Sequence, residues 1–266
     1  AKEIIKMAPT DYSIGIAPHS LRAVPVEIIR EIVEITPSVQ IHMHIAEQIK
    51  EVEIIKEIFG ARPVEWLLQN IDVDSRWCLI HATHMNQKET KNLAKSGAVV
   101  GLCPITEANL GDGIFDGRRF ILSNGQFGIG SDSNVRISLT EELRLLEYSQ
   151  RLSKKKRSLM INNVGSVGYS LFNHALIGSA KALNRQSGSI AEGNWADLIT
   201  LDSDALNFCD CEEEEILDRW IFSCDDKLVK EVWSAGRQMV VNGKHIHHEK
   251  IERQYRSLIK EIRLNQ

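Results

Sequence analysis

Short apolar runs and amphipathic stretches alternate along the first half of the chain. The apolar runs have the length of buried strands, and the stretches between them repeat apolar residues every three or four positions, as helices do. This alternation is typical of an α/β protein with a parallel sheet. The predicted strands are 13–17, 39–45, 77–81, 98–102 and 127–130, and the main predicted helices are 25–33, 49–59, 63–70, 87–95 and 140–152.

Two regions depart from this alternation. Residues 104–125 contain glycines and show no clear period, so we predict a long loop of the kind that covers a binding site. After about residue 185, turn residues and short strand-like runs dominate, which indicates a small β-rich module. We therefore predict an α/β body over residues 1–185 and a second, β-rich segment with the carboxyl-terminal tail over 186–266.

Polar, chemically versatile residues close several of the predicted strands. They are His19, His44, His81 and Asp132, and Glu47 follows His44 by three residues. In a parallel α/β barrel the active site lies at the carboxyl ends of the strands, so these side chains are expected to converge. Imidazole and carboxylate groups are ligands that zinc accepts, and a bound zinc ion activates water. The sequence thus favours a metal-dependent hydrolase.

Simpler explanations exist for the same residues. A histidine at a strand end can be a hydrogen-bonded structural residue, and Ser131-Asp132 can cap a helix. His42 lies two residues before His44 on the same strand face, so a His-x-His pair is also possible from geometry alone.

Composition and charge narrow the class of partner. The net charge of -4 and the pI near 6.2 give no general attraction to nucleic acid or to anionic membranes, which leaves a small molecule as the expected partner. The five cysteines form no Cys-x-x-Cys pair, so neither a disulfide framework nor a thiolate zinc site is indicated. We expect a cytoplasmic protein without a membrane-spanning helix.

Several segments resemble the amidohydrolase superfamily and, within it, the formimidoylglutamate deiminase family. The segment 106–113, Thr-Glu-Ala-Asn-Leu-Gly-Asp-Gly, and the segment 19–22, His-Ser-Leu-Arg, are the more specific ones. Related guanine deaminases and triazine-type hydrolases usually carry Cys-Pro-x-Ser-Asn where this chain has Cys-Pro-Ile-Thr-Glu-Ala-Asn. The matching segments are 17–22, 44–48, 62–68, 76–84, 101–104, 106–113, 130–134 and 188–202.

The resemblance implies a fold and an incomplete site. The fold is a partial (β/α)8 TIM-type barrel, from about the fourth to the eighth strand, followed by part of a small β-sandwich. The family also carries a His-x-His pair at the end of its first barrel strand, and no such motif precedes His19. We therefore expect a chain that lacks the amino-terminal third of the family's enzymes, with zinc, or alternatively iron, in a site short of two ligands.

By resemblance, each strand-end residue has a role. His44 and Asp132 are similar to metal ligands, Glu47 to the acid that moves protons, and His81 to the histidine that contacts the reacting group. Glu47, His81 and Asp132 are then the catalytic residues. Arg22, with His19 beside it, resembles a clamp for the substrate carboxylate, since a guanidinium group binds a carboxylate through two parallel hydrogen bonds.

The implied reaction is hydrolysis of N-formimidoyl-L-glutamate to N-formyl-L-glutamate and ammonia in histidine degradation, by an enzyme that the family resemblance suggests is a homodimer. Two alternatives remain. One is another aminohydrolase of the superfamily, of the guanine or cytosine deaminase type or similar to the chlorohydrolases, for which Arg22 is the discriminating residue. The other is a catalytically silent fragment that keeps only the scaffold.

Overall fold

A computed structural model describes residues 11–134, 136–161 and 165–264. Its first sheet has four parallel strands in the order β1-β2-β3-β4. The register aligns Ile45 with His81 and Leu102 with Ile129, so the strands end at one edge of the sheet. The strands are β1 (Ile41–Ile45), β2 (Trp77–His81), β3 (Val99–Leu102) and β4 (Gln126–Ile129).

Helices connect the strands and continue after them. Asn86 begins α4 with a capping box, because its side chain accepts the backbone N–H of Glu89 while the Glu89 side chain accepts the N–H of Asn86. The predicted helices in this region agree with the structure to within about two residues. The helices are α1 (Val26–Ile35), α2 (Ile49–Phe59), α3 (Pro63–Asn70), α4 (Gln87–Ser96), α5 (Pro104–Leu110), α6 (Gly117–Leu122), α7 (Leu139–Lys154), α8 (Val167–Ala182), α9 (Ile216–Ser223) and α10 (His248–Leu264).

The strand predicted at residues 13–17 is wrong in extent. Ile16 forms a single parallel bridge with Ile41, and the N–H of His42 donates to the Ile16 carbonyl at 2.9 Å. Pro18, which has no N–H to donate, interrupts the pairing. The pairing with β1 resumes at His19, whose carbonyl accepts the N–H of His44 at 3.0 Å. The segment therefore lies beside β1 without becoming a regular strand.

The long loop predicted at residues 104–125 is also wrong, because the structure forms α5 and α6 there. Pro104 occupies the first turn of α5, where its missing N–H leaves no hydrogen bond unmade, and Gly111 ends the helix with φ +73°. Phe120 and Ile121 anchor α6, with exposed fractions of 0% and 1%. Two short helices thus take the place of the predicted loop.

The core lies between the sheet and its helices, and α8 contributes to it although the sequence did not predict this helix. A Cβ atom at Gly178 would overlap the carbonyl oxygen of Phe127, so the helix backbone contacts the backbone of β4 directly. The N–H of Ile129 donates to Oγ of Ser179 at 3.3 Å. Helix α8 therefore packs along the edge of β4 that does not pair with β3. Among the buried strand residues are Ile41, Met43, Ile45, Leu79, Val100 and Phe127.

A second sheet is antiparallel, in the order β5-β6-β7-β8, and matches the predicted β-rich module. The α/β fold class, with a parallel sheet of barrel type, is confirmed. The domain division at residue 185 stays a prediction, and the helix α10 in the carboxyl-terminal tail was not predicted. No helix in the described parts of the chain is long and apolar enough to cross a membrane. The strands are β5 (Leu198–Leu201), β6 (Val229–Ser234), β7 (Arg237–Val241) and β8 (Lys244–His245).

Candidate active site

The chain turns sharply at the carboxyl ends of the parallel strands. Ala46 after β1, His81 at the end of β2 and Asp132 after β4 have φ values of +49°, +68° and +54°. Residues other than glycine seldom adopt this left-handed conformation, and where they do it often marks a functional site. Here the turns redirect the backbone where polar side chains leave the sheet.

The three predicted catalytic residues lie together. Nε2 of His81 is 3.7 Å from Oε1 of Glu47 and 3.7 Å from Oδ2 of Asp132. His81 is fully buried, whereas the side chains of Glu47 and Asp132 keep 16% and 27% of their exposure. A buried imidazole thus faces two carboxylates that a small molecule can reach. Their catalytic roles stay predictions.

Glu107, which sequence reasoning did not single out, is the other partner of His81. Its Oε1 lies 3.2 Å from Nδ1 of His81. Burial lowers the pKa of His81, but the hydrogen bond to Glu107 and the charges of Glu107, Glu47 and Asp132 raise it, and the resulting pKa lies above the usual value. The only signal in the sequence was that Glu107 belongs to the specific segment 106–113.

His44, a predicted metal ligand, is held by the segment before β1. Its Nδ1 donates to the carbonyl of His19 at 2.9 Å. This hydrogen bond leaves Nε2 unprotonated in the neutral ring, as a metal-ligating histidine requires. The ring centroid of His44 is 4.9 Å from that of His19 and 5.7 Å from that of His81. His44 therefore lies at the site with a free ligand atom.

The available donors fit zinc in type. His44 offers an imidazole nitrogen and Asp132 a carboxylate oxygen, although catalytic zinc usually has three protein ligands. Among the described residues, the ligand atoms of His81, Cys103 and Asp132 also lie within 4.8 Å of one another, in a group that does not include His44. Burial raises the pKa of the Cys103 thiol, which disfavours the thiolate form needed for coordination. His44 and Asp132 stay the predicted ligands, and the incompleteness of the site stays a prediction as well.

The predicted substrate clamp lies beside the catalytic cluster. Nη2 of Arg22 is 3.8 Å from Oε2 of Glu47, and the Arg22 side chain is 32% exposed. His19 is exposed, and its Nδ1 shares a hydrogen bond of 2.9 Å with Oγ of Ser20. Both side chains can therefore meet a small molecule from solvent, and their role in binding stays a prediction.

Two further histidines have structural partners. Nε2 of His42 bonds to the carbonyl of Ala182 at 2.8 Å, at the far end of β1 from the site. Nε2 of His84 bonds to the carbonyl of Asp112 at 2.6 Å. The structure therefore gives His42 a contact with the end of α8 in place of the His-x-His arrangement that geometry allowed.

Buried carboxylates hold the backbone around the site. Oε1 and Oε2 of Glu51 accept the N–H groups of Ala46 and Glu47 at 3.0 and 2.9 Å. Oε2 of Glu142 accepts the N–H of Ile105 at 2.8 Å. Burial raises the pKa of Glu142 to about 7; the Ile105 N–H opposes this shift, and nearby acidic groups add to it. Sequence analysis missed both glutamates, since each lies in a helix with other acidic residues.

Comparison with known proteins adds to this geometry. The family model described as "Amidohydrolase family" matches residues 1–239. A formimidoylglutamate deiminase from Pseudomonas aeruginosa is 44% identical over 253 residues, which cover 94% of this chain and 56% of that protein. A 5-methylthioadenosine/S-adenosylhomocysteine deaminase from Pyrococcus abyssi is 27% identical over 163 residues, which cover 60% of this chain and 37% of that protein.

Two solved structures also match this chain. An amidohydrolase from Brucella melitensis is 45% identical with a TM-score of 0.88, over 93% of this chain and 55% of that one. An adenosine deaminase from Xanthomonas campestris with bound zinc is 23% identical with a TM-score of 0.82, over 94% of this chain and 58% of that one, and shows the fold alone. The chain spans just over half the length of these two structures and of the Pseudomonas protein, less than the two thirds expected from the sequence. On the match to the family model and the 44% identity, the chain belongs to the amidohydrolase family.

Proposed function

We propose that the chain carries much of the active site of a metal-dependent deiminase that hydrolyses N-formimidoyl-L-glutamate to N-formyl-L-glutamate and ammonia, in the degradation of histidine. In this reaction water adds to the formimidoyl carbon, and the bond from that carbon to the terminal nitrogen breaks. The terminal nitrogen leaves as ammonia, and the oxygen of water remains as the formyl oxygen.

One observation carries the proposal. Glu47, His81 and Asp132 come from three separate segments, yet Nε2 of His81 lies 3.7 Å from a carboxylate oxygen of each of the other two. Such a group can accept a proton from water and return it to a leaving nitrogen. The 44% identity to the Pseudomonas formimidoylglutamate deiminase supports this choice of substrate over others with the same kind of bond.

Arg22 and His19 would bind the substrate. The guanidinium of Arg22 lies 3.8 Å from Glu47, a distance too long for a tight hydrogen bond, so a substrate carboxylate can compete for it. A planar guanidinium binds a carboxylate through two parallel hydrogen bonds, which also fixes the orientation of the ligand. The proposed partner is thus a small acidic molecule.

Glu47 would move the protons. Its carboxylate takes a proton from the attacking water and delivers one to the departing nitrogen. His81 would hold the oxygen of the added water in the tetrahedral intermediate, since Nε2 can donate a hydrogen bond to it once protonated. Asp132, whose Oδ2 lies 3.7 Å from Nε2 of His81, would orient the water.

Zinc, or iron in its place, would be held by His44 and Asp132 and would supply the polarisation that makes water nucleophilic near neutral pH. In the same proposal the protein acts in the cytoplasm as a homodimer and binds neither nucleic acid nor membrane.

A second candidate is hydrolysis of a ring amine, which the Pyrococcus relative named as a 5-methylthioadenosine/S-adenosylhomocysteine deaminase favours. The two candidates differ at Arg22. An acidic acyclic substrate needs a cation there, whereas an uncharged ring does not. The third candidate is a catalytically silent fragment that keeps only the scaffold.

Ammonia release separates these candidates. The 266-residue chain, and a version extended at its amino end to the length of the Pseudomonas relative, are loaded with Zn²⁺ and given N-formimidoyl-L-glutamate or 5-methylthioadenosine, which has no carboxylate. We expect release from the first substrate only. Release from the second substrate would support a ring deaminase, and no release by either protein would indicate a silent scaffold.

The active form is whichever of the two proteins releases ammonia, and Glu47→Gln in that form tests the role of Glu47. It should lose at least about 100-fold in turnover, since a proton-transferring group contributes that much. Bound zinc, measured by elemental analysis, should stay within experimental error of the parent protein. Turnover close to that of the parent would contradict the role of Glu47.

A further inference from the structure

Glu107 is a buried carboxylate that contacts Nδ1 of His81, whereas Glu47 and Asp132 lie near Nε2 of the same ring. It lies on α5 and is 4% exposed. The same oxygen, Oε1, accepts the backbone N–H of Cys103 at 3.0 Å and lies 3.2 Å from Nδ1 of His81. The same Oε1 already accepts the Cys103 N–H, and a carboxylate oxygen accepts hydrogen bonds, so we assign Nδ1 of His81 as the donor in this contact.

This contact fixes how the His81 ring is presented. A ring whose Nδ1–H points at Glu107 must direct Nε2 to the opposite side, and there Nε2 lies 3.7 Å from both Glu47 and Asp132. Nε2 is buried and has no hydrogen-bond partner among the described residues. A buried polar atom of this kind is costly unless it serves a ligand or a reacting group.

The surroundings of α5 keep Glu107 in place. Glu142 accepts the N–H of Ile105 at 2.8 Å, and Oγ1 of Thr106 donates to the carbonyl of Ser131 at 3.2 Å. Ser131 precedes Asp132, so one short helix is bonded both to His81 and to the loop that carries the predicted ligand. The position of Glu107 therefore depends on hydrogen bonds that hold α5 to α7 and to the loop after β4.

We propose that Glu107 is a positioning residue for His81. By accepting Nδ1–H, it selects the ring orientation and keeps Nε2 directed at the reacting atoms between Glu47 and Asp132. The catalytic consequence rests on the proposed function, whereas the hydrogen bond itself does not. Outer partners that orient metal-ligating histidines change activity by about 10- to 100-fold when they are removed, and we expect a loss of the same order for the partner of His81.

Nitrogen NMR on the 266-residue chain labelled with [15N]histidine tests the hydrogen bond without any assay of activity. The chain has nine histidines, and the His81 signals are those that disappear in His81→Asn. In the parent protein Nδ1 of His81 should be protonated and shifted by its charged acceptor. In Glu107→Gln that shift should be lost, because the amide is neutral and can reverse its donor and acceptor atoms.

Glu142→Gln is the matched control, since Glu142 supports α5 and does not contact His81, and the amide still offers an oxygen to Ile105. The His81 signals should keep their positions in this variant. Identical His81 signals in Glu107→Gln and the parent would overturn the proposal, and so would an equal displacement in both variants. Urea unfolding of each variant checks that the fold is intact.

Steady-state kinetics of the active form then test whether the hydrogen bond between Glu107 and His81 affects catalysis. Glu107→Gln should lower kcat by about 10- to 100-fold with little change in KM. A kcat within twofold of the parent would overturn the positioning role even if the NMR shift is lost. If no form of the protein releases ammonia from N-formimidoyl-L-glutamate, the proposed function fails, and the NMR result decides the proposal on its own.

Discussion

Oε2 of Glu51 accepts the backbone N–H of Glu47 at 2.9 Å, so one buried carboxylate fixes the backbone of another that faces the site. The second oxygen of Glu51 holds the N–H of Ala46, which has φ +49°. Glu51 is fully buried at the first turn of α2. The turn that presents Glu47 therefore depends on a side chain four residues further along.

Replacing Glu51 should destabilise the fold. Glu51→Ala leaves two backbone N–H groups without acceptors, and each buried unsatisfied group costs about 1–3 kcal/mol, so we expect a loss of about 3 kcal/mol in the free energy of unfolding. Urea unfolding measures it. Glu53→Ala on the exposed side of the same helix is the control and should change stability by less than about 0.5 kcal/mol. Equal losses in the two variants would contradict the role of Glu51.

The raised pKa of Glu142 predicts how stability changes with pH. Its pKa rises from the usual 4.5 to about 7 in the folded protein, so between these values the folded state binds more protons than the unfolded state. Stability from this group is fully present below pH 4.5 and is lost as the pH rises through 7. This pKa shift corresponds to a change of about 3 kcal/mol in the free energy of unfolding.

Glu142→Gln removes this group and isolates its contribution. Unfolding by urea at several pH values, with a chelator present, should show a smaller fall in stability from pH 5 to pH 8 in the variant than in the parent. Glu141→Gln, on the same turn of α7, is the control and should stay much closer to the parent curve than Glu142→Gln, since burial and not the charge of Glu141 is the main cause of the raised pKa of Glu142. Parallel curves for Glu142→Gln and the parent would show that Glu142 titrates near its ordinary pKa.

The clamp role of Arg22 predicts a defect in binding rather than in chemistry. Arg22→Met keeps an unbranched chain and removes the guanidinium, so KM for N-formimidoyl-L-glutamate should rise by at least about tenfold, since a hydrogen bond to a charged group contributes about 1.5–3 kcal/mol. Steady-state kinetics of the active form measure the change. Arg30→Met, at an exposed position of α1, is the control. An unchanged KM in Arg22→Met would count against the clamp.

The contact between α8 and β4 should not tolerate a side chain. Gly178→Ala places a Cβ where it overlaps the Phe127 carbonyl, so the helix must move away from the strand, at a cost of about 3 kcal/mol. Thermal or urea unfolding shows the loss. Ile177→Ala, at a neighbouring position that is 43% exposed, should be close to neutral. If the two variants unfold alike, α8 does not pack as described.

Local patterns predicted the elements that the order of apolar and polar residues marks most clearly. The strand at residues 77–81 and the helices at 49–59 and 63–70 agree with the structure residue for residue, because an apolar run or a helical period marks them directly. The predicted strand at 13–17 and the predicted loop at 104–125 failed. In the first, Pro18 breaks the ladder, and in the second, apolar residues buried by tertiary packing stabilise two short helices.

The sequence by itself determined that His44, Glu47, His81 and Asp132 stand at the ends of buried strands, because strand ends follow from the apolar pattern. Only the tertiary structure decided which side chains meet. Glu107 reaches His81 across 26 residues of sequence, and α8 meets β4 through Gly178. Contacts of this kind depend on how separate segments pack, which no local pattern records, so the partner of His81 is visible only in the folded protein.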